Sequence, residues 1–338
     1  MKIPSRGKQL LKQILINTKL LKFVNNIYFH NIVILKYHSI KDNPAPYDNS
    51  IEPGIITSTE DFRKHMEILR KEFNPVSLTD ILLFMRGDKT LPKKAVAVTF
   101  DDGFSDNFEI AAPILDHFEI KATFYITTGA IETPSPPWFV RVRNAIWSTK
   151  KTEWLAPEDN RFFKIVNRSD RVIVNRHVCN LYSNLPAHQR ERTIRDLEIA
   201  LDVNPYTPKS SVMMTWENIT RLHKNGHIIG SHTMSHPNIA HIGKDELHLE
   251  LVQSKRLLEE KLNAPVIHFS YPNPGLNPQF TEQTTAAVRE AQYETAVLSS
   301  HGPIKKGGNP LLLERLCAAP QRSEFIWNLE CILMGRRV

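Results

Sequence analysis

Val96-Ala97-Val98-Thr99-Phe100 is a short apolar run with alternate β-branched residues, and it stops abruptly on Asp101-Asp102-Gly103. The run reads as a buried strand, and Asp-Gly is a turn signal that ends it. Two adjacent carboxylates at the end of a buried strand are costly without partners, because both anions lose hydration. A cation beside them removes that cost. The alternative is a surface turn that uses Asp-Asp-Gly for its backbone geometry.

A second stretch, His227-Ile228-Ile229-Gly230-Ser231-His232-Thr233-Met234-Ser235-His236-Pro237, bears on that choice. His232 and His236 are four residues apart, a spacing that puts two imidazoles on the same side of one helical turn. Two such imidazoles and one carboxylate suit a single divalent metal. Two surface or capping histidines are the alternative for the pair taken alone. Both stretches follow a short apolar strand, which strengthens the metal reading.

The rest of the chain alternates strands with helices, the pattern of a parallel β/α architecture. Ile32 to His38 is the first strand. Capping boxes at Ser58–Asp61 and Ser77–Asp80 open two helices. Strand 95–100, a helix near 107–118 and strand 122–126 follow. Residues 133–212 break the rhythm with Pro134, Pro136 and Pro137, then Trp138, Trp147 and Trp154. That length marks an insertion, a lid or binding subdomain. Its tryptophans are read as its own small core, with stacking on a bound ligand as the alternative. The rhythm resumes with a helix from Trp216, Gly226 as a C-cap, and a strand at 227–231. A helix at 244–262, a strand from Val266 to Tyr271, a helix at 280–291, a strand at 295–299 and a helix at 323–334 complete the chain.

The 338 residues suffice for one barrel domain with insertions. The net charge is +7. Residues 1–41 carry eight basic residues and no acidic one, so the remainder, with 35 basic and 36 acidic residues, is nearly neutral. A nucleic-acid-binding enzyme is therefore not indicated. Within residues 1–27, Leu10, Ile14, Leu21 and Val24 are spaced as on an amphipathic helix with lysines between them. This basic segment is read as a helix docked on the barrel, the alternative being peripheral contact with an anionic membrane surface. Lys12, Lys19 and Lys22 interrupt any signal-peptide apolar region, and no apolar run is long enough for a transmembrane helix. Cys179, Cys317 and Cys331 form no framework and are read as free core thiols. The location expected is cytoplasmic.

Thr99-Phe100-Asp101-Asp102-Gly103 followed by Ser231-His232-x-x-x-His236-Pro237 resembles the polysaccharide deacetylase family, carbohydrate esterase family 4 with the NodB homology domain. The resemblance covers about residues 30–330. It implies a distorted (β/α) barrel of seven strands over residues 28–338, interrupted at 133–212. It implies a metal-dependent hydrolase that removes N-acetyl groups from a polysaccharide or oligosaccharide and releases acetate. Carried over by motif, Asp102, His232 and His236 are the ligands of one divalent metal, Zn²⁺ by donor type, with Co²⁺, Ni²⁺ or Fe²⁺ as alternatives. Asp101 is then the general base. Tyr271-Pro272-Asn273-Pro274-Gly275 falls where the family places an Arg-x-Pro-aromatic segment, which makes Tyr271 a substrate contact and the Asn273 N–H an oxyanion donor. Ser270 stands where that arginine would be, and Arg315 is the candidate replacement, the alternative being a surface ion pair with Glu314. For the general acid, Leu298-Ser299-Ser300-His301 is one residue too long for the family's Leu-x-His motif. Tyr37-His38 matches the branch that acts on exported polysaccharides, so His38 is expected to take that role, with His301 as rival. Two further readings remain: another carbon–nitrogen hydrolase of this fold acting on a different amide, and a non-catalytic glycan-binding barrel.

Overall fold

The first barrel strand, β1 (Val33–Tyr37), is buried along its whole length and lies parallel to the strand that carries the aspartates, with Val33 opposite Val96 and Tyr37 opposite Phe100. Both strands are covered on two faces, which is why they read as continuous apolar runs rather than alternating ones. Val33, Leu35 and Tyr37 face the layer between sheet and helices, while Ile32 and Ile34 face the barrel interior. The structure is a computed structural model that describes residues 31–42, 51–133, 136–208, 211–272 and 278–338. The basic segment 1–27, Pro134 and Asn273 lie outside the described residues.

After β1 come the short strands β2 (Ser39–Lys41), β3 (Ile56–Ser58) and β4 (Asn74–Pro75), then the aspartate strand β5 (Ala95–Phe100) and β6 (Thr123–Ile126). The insertion holds β7 (Glu153–Ala156) and β8 (Arg161–Lys164). The chain then returns with β9 (Ile228–Ser231), β10 (His268–Ser270), β11 (Thr295–Val297) and β12 (Leu316–Cys317). The main sheet runs β11-β10-β9-β6-β5-β1-β12, with β4 beside β5, and every described pairing in it is parallel. Its two edges meet at a parallel bridge between Val297 and Leu313, so seven strands curl into a distorted (β/α) barrel with a weak seam.

The helices are α1 (Thr59–Glu72), α2 (Leu78–Arg86), α3 (Ala112–His117), α4 (Trp138–Ser148), α5 (Arg168–Tyr182), α6 (Ala187–Ala200), α7 (Trp216–Lys224), α8 (Lys244–Leu262), α9 (Glu282–Glu290) and α10 (Arg322–Leu333). Ser58 caps α1 by accepting from the Asp61 N–H, and Ser77 with Asp80 forms the capping box of α2. The segment expected as a helix near 107–118 begins with a π-helical turn at Asn107–Ala111 before α3. Gly226, at φ 85°, follows the Asn225 C-cap of α7.

The insertion has a core separate from the barrel's. Trp138 and Trp154 are buried in it with Val142, Val174, Val178 and Leu197, and Trp147 packs partly buried against them. The expected packing role of the tryptophans therefore holds. The cysteines form no disulfide, but Cys317 is exposed, so only Cys331 and the half-buried Cys179 fit the core-thiol expectation. Among the described residues, no helix is long and apolar enough to cross a membrane.

Candidate active site

Because strand residues alternate between faces, the inward residues of β1, β5, β9 and β10 stack up the barrel interior. Its lower layer is apolar: Ile32, Ile34, Ala95, Ala97, Val297 and Leu313. Above it the interior turns polar with Lys36, Thr99, Ser270 and Arg315, all buried. The chemistry-bearing residues sit just beyond, at the C-terminal ends of the strands.

Asp102 follows β5 in a left-handed turn, φ 75°, and this turns its carboxylate toward the end of β9. His232 Nε2 lies 3.5 Å and His236 Nε2 3.4 Å from Asp102 Oδ1. These separations are too long for good hydrogen bonds. They match two donors sharing one ion: at metal–ligand distances near 2.0–2.1 Å, tetrahedral neighbours stand roughly 3.3–3.4 Å apart. The three donor atoms lie within 4.8 Å of one another, and all three residues are in a buried site. His232 Nδ1 donates to the Ser270 carbonyl at 2.8 Å, which leaves Nε2 as the lone-pair nitrogen facing the site. Burial pushes His236 down to about 3, so its imidazole is neutral near pH 7. Donor set, spacing and tautomer all fit a single divalent cation.

The histidines do not lie on a helical turn, as their spacing suggested. The chain from His232 to Pro237 is an irregular loop, with Thr233 at φ 67° and His236 at φ 57°. The loop brings the two rings to a centroid separation of 4.8 Å. Two left-handed residues reverse the chain between the ligands, so a helical spacing in sequence arises here without a helix.

Asp101 points the other way, into the polar interior. Arg315 donates to both its oxygens, Nη1 to Oδ1 at 2.7 Å and Nη2 to Oδ2 at 2.6 Å. Ser270 Oγ donates to Oδ1 at 3.2 Å and accepts from Arg315 Nη2 at 3.0 Å. Arg315 is fully buried and also donates to the Leu298 carbonyl and to Thr99 Oγ1. Burial alone would raise the Asp101 carboxyl, but the paired guanidinium outweighs it and holds the group well below the usual carboxylate range. Glu314, the alternative partner for Arg315, pairs instead with Arg337.

His38 ends β1 on the same rim, its Nε2 4.0 Å from Asp101 Oδ2. Burial lowers it to about 4, so it too is neutral near pH 7. His301 is engaged elsewhere, its Nδ1 3.1 Å from the Val338 carbonyl. Tyr271 is not on the rim. Ser270 takes the inward position, so alternation turns Tyr271 outward, where its ring packs against Phe269 and Phe280 in the core. That placement corrects the expectation that its side chain contacts substrate. Two residues given no role from sequence also shape the site. Ser270 ties Asp101, Arg315 and His232 together, and the Phe139 ring lies 5.1 Å from that of His236. The small residue in place of the expected arginine was the available signal for Ser270; nothing in the local sequence marks Phe139.

Comparison with known proteins bears on the family and the fold. The family model described as polysaccharide deacetylase matches residues 88–296. The poly-beta-1,6-N-acetyl-D-glucosamine N-deacetylase of Escherichia coli (strain K12) is 32% identical over 108 residues, which are 31% of this chain and 15% of that protein. The match thus spans less than a sixth of that relative. The Streptococcus pyogenes deacetylase PplD, solved in complex with acetate, superposes with a TM-score of 0.60 at 18% identity, covering 90% of this chain and 99% of that one. IcaB from Ammonifex degensii superposes with a TM-score of 0.58 at 17% identity, covering 89% and 97%. At these identities the two structures establish the fold.

Proposed function

The chain belongs to the polysaccharide deacetylase family, and from that premise we propose that it is a metal-dependent hydrolase removing N-acetyl groups from an N-acetylated polysaccharide or oligosaccharide. The observation that supports this most is the division of the aspartate pair: Asp102 faces two imidazole nitrogens, while Asp101 is held ionised by Arg315 beside them. A glycan-binding barrel has no use for a second, oriented carboxylate next to its metal ligands.

Asp102, His232 and His236 would hold the cation, Zn²⁺ by donor type, which when bound supplies Lewis-acid polarisation of the acetamide carbonyl and a more acidic water. The protein's own residues do the rest. Asp101 accepts the proton of the attacking water; Arg315 and Ser270 aim its carboxylate and keep it charged. His38, neutral at rest and 4.0 Å from Asp101, can receive that proton and pass it to the departing amine nitrogen. An amine leaves an acetamide only when protonated, so this return of the proton completes the reaction as acetate and free amine. The backbone N–H of Asn273 is the proposed second donor to the oxyanion, by its place in the motif.

The test is acetate release from a panel of N-acetylated oligosaccharides, before and after chelation and after adding back Zn²⁺, Co²⁺ or Ni²⁺. Activity that chelation abolishes and a divalent cation restores is expected. Full turnover by metal-free protein would overturn the reading.

A further inference from the structure

We infer that Arg190, supplied by the insertion, is a positioning residue for the ligand loop that ends on His236. The inference rests on the metal reading above and extends it to the insertion. Thr233 and His236 both hold left-handed backbone conformations that non-glycine residues adopt only when their surroundings impose them. On the barrel side, Glu250 of α8 accepts from the Met234 N–H at 2.8 Å and the Ser235 N–H at 2.9 Å, and also from the Ser235 hydroxyl. Gly129 N–H donates to the Met234 carbonyl at 2.8 Å, and a Cβ at position 129 would come within 2.5 Å of that oxygen.

On the insertion side, Arg190 Nη2 donates to the Ser235 carbonyl at 3.1 Å and to the Ser235 hydroxyl at 2.5 Å. Trp138 Nε1 donates to the carbonyl of His236 itself at 3.2 Å, and the Arg190 guanidinium stands 5.3 Å from the Trp138 ring centroid. Arg190, Ser235 and Glu250 therefore form one chain of charge-assisted hydrogen bonds, which are stronger than neutral ones and ends one residue before a metal ligand. Arg190 and Glu250 are both buried. A cavity of about 830 Å³ lies beside this loop, between the insertion and α8, and Arg190, Trp138, Ser235 and Glu250 line it. The insertion thus reaches the loop here through these side chains across a void, and the loop's geometry depends on them. The function this assigns to the insertion is support of the metal site, in addition to whatever it does for substrate.

The experiment measures Zn²⁺ dissociation constants by chelator competition and Co²⁺ absorption spectra for the full chain and four variants. Arg190→Gln is expected to raise the dissociation constant about tenfold or more and to alter the Co²⁺ spectrum, as loss of outer support does at other metal sites. Arg190→Lys, which keeps the charge and a donor, should recover part of the affinity. Arg141→Gln is the control: Arg141 is equally buried in the insertion but pairs with Glu198 and Glu191, so its loss should lower thermal stability and leave metal affinity unchanged. His232→Ala should lose the metal. If Arg190→Gln binds as the unmodified protein does while His232→Ala does not, or if Arg141→Gln weakens binding as much, the positioning role is wrong. If His232→Ala also binds normally, the metal reading itself fails. Should Arg190→Gln not fold, the Co²⁺ spectrum of Arg190→Lys decides: an unchanged spectrum and affinity overturn the role.

Discussion

Asp101 and Asp102 are neighbours in sequence and opposites in environment. A left-handed turn at Asp102 sends the two carboxylates to different partners, Arg315 for one and a pair of imidazoles for the other. Asp101→Asn should therefore keep bound metal and lose turnover by about 10²–10⁴-fold, the range for removing a general base. Asp102→Asn should lose metal first, which elemental analysis of the purified variants will distinguish; the reverse pattern would invert the assignment. His38 lends itself to a second comparison at this scale. His38→Ala and His301→Ala assayed on an acetamide and on an activated ester should separate the acid. Only the amide needs its leaving group protonated, so His38→Ala should lose amide activity selectively. His301, tied to the Val338 carbonyl, should show no such selectivity.

Among the elements, the insertion is a second small core clasped to the barrel. Trp154 on β7 is buried there and stacks on Phe163 of β8, ring centroids 5.9 Å apart. Trp154→Ala should destabilise this unit by about 3–5 kcal/mol, the cost of emptying a large buried aromatic site. If the insertion unfolds separately, calorimetry should show an early transition in the variant while the barrel transition stays put. A single unshifted transition would mean that Trp154 packing contributes little. The same unit supplies Trp138 and Arg190 to the loop carrying His236, so its early loss should also weaken metal binding.

The molecule as a whole carries buried neutral histidines that set its response to acid. Burial pushes His65 and His227 to about 4 and His268 to about 3. In the unfolded chain each titrates near 6.5. Between about pH 6.5 and pH 4 these three side chains bind up to about three more protons in the unfolded state than in the folded one. His38 and His236, lowered likewise by burial, add to that difference, and Asp106, raised by burial to about 6, offsets about one proton of it below pH 6. Stability is full above pH 6.5 and falls as the pH drops, by about 1.4 kcal/mol per proton per pH unit. Asp101, depressed in the folded state, adds its own loss only below about pH 4. Urea denaturation midpoints between pH 7 and 4.5 should trace this slope, and His268→Gln should reduce it by about one proton. An unchanged slope would show that His268 does not titrate on unfolding.

Local sequence was enough for the strands at 32–38, 95–100, 122–126, 227–231, 266–271 and 295–299, the capped helices and the two motifs, because strand burial, capping and turn chemistry act over a few residues. Val96–Phe100 and Ser77–Asp80 needed no distant information to be read. The aspartate pair and the two histidines were legible as a cluster for the same reason, since such residue types stood at strand ends; which aspartate joins the histidines came from the family motif. Tertiary structure alone decided what completes the site. Arg315 lies 214 residues from Asp101 in the chain, and only the pairing of β12 beside β1 brings the residue before it to where its guanidinium fills the space Ser270 leaves. Tyr271 turned outward because pleat alternation, once Ser270 faced in, left it no choice. The histidine loop takes left-handed turns instead of a helix, and Glu250 and Arg190, from outside the loop, hydrogen-bond its backbone there. Spacing along the chain states which groups are available; the register of a closed sheet determines which of them meet.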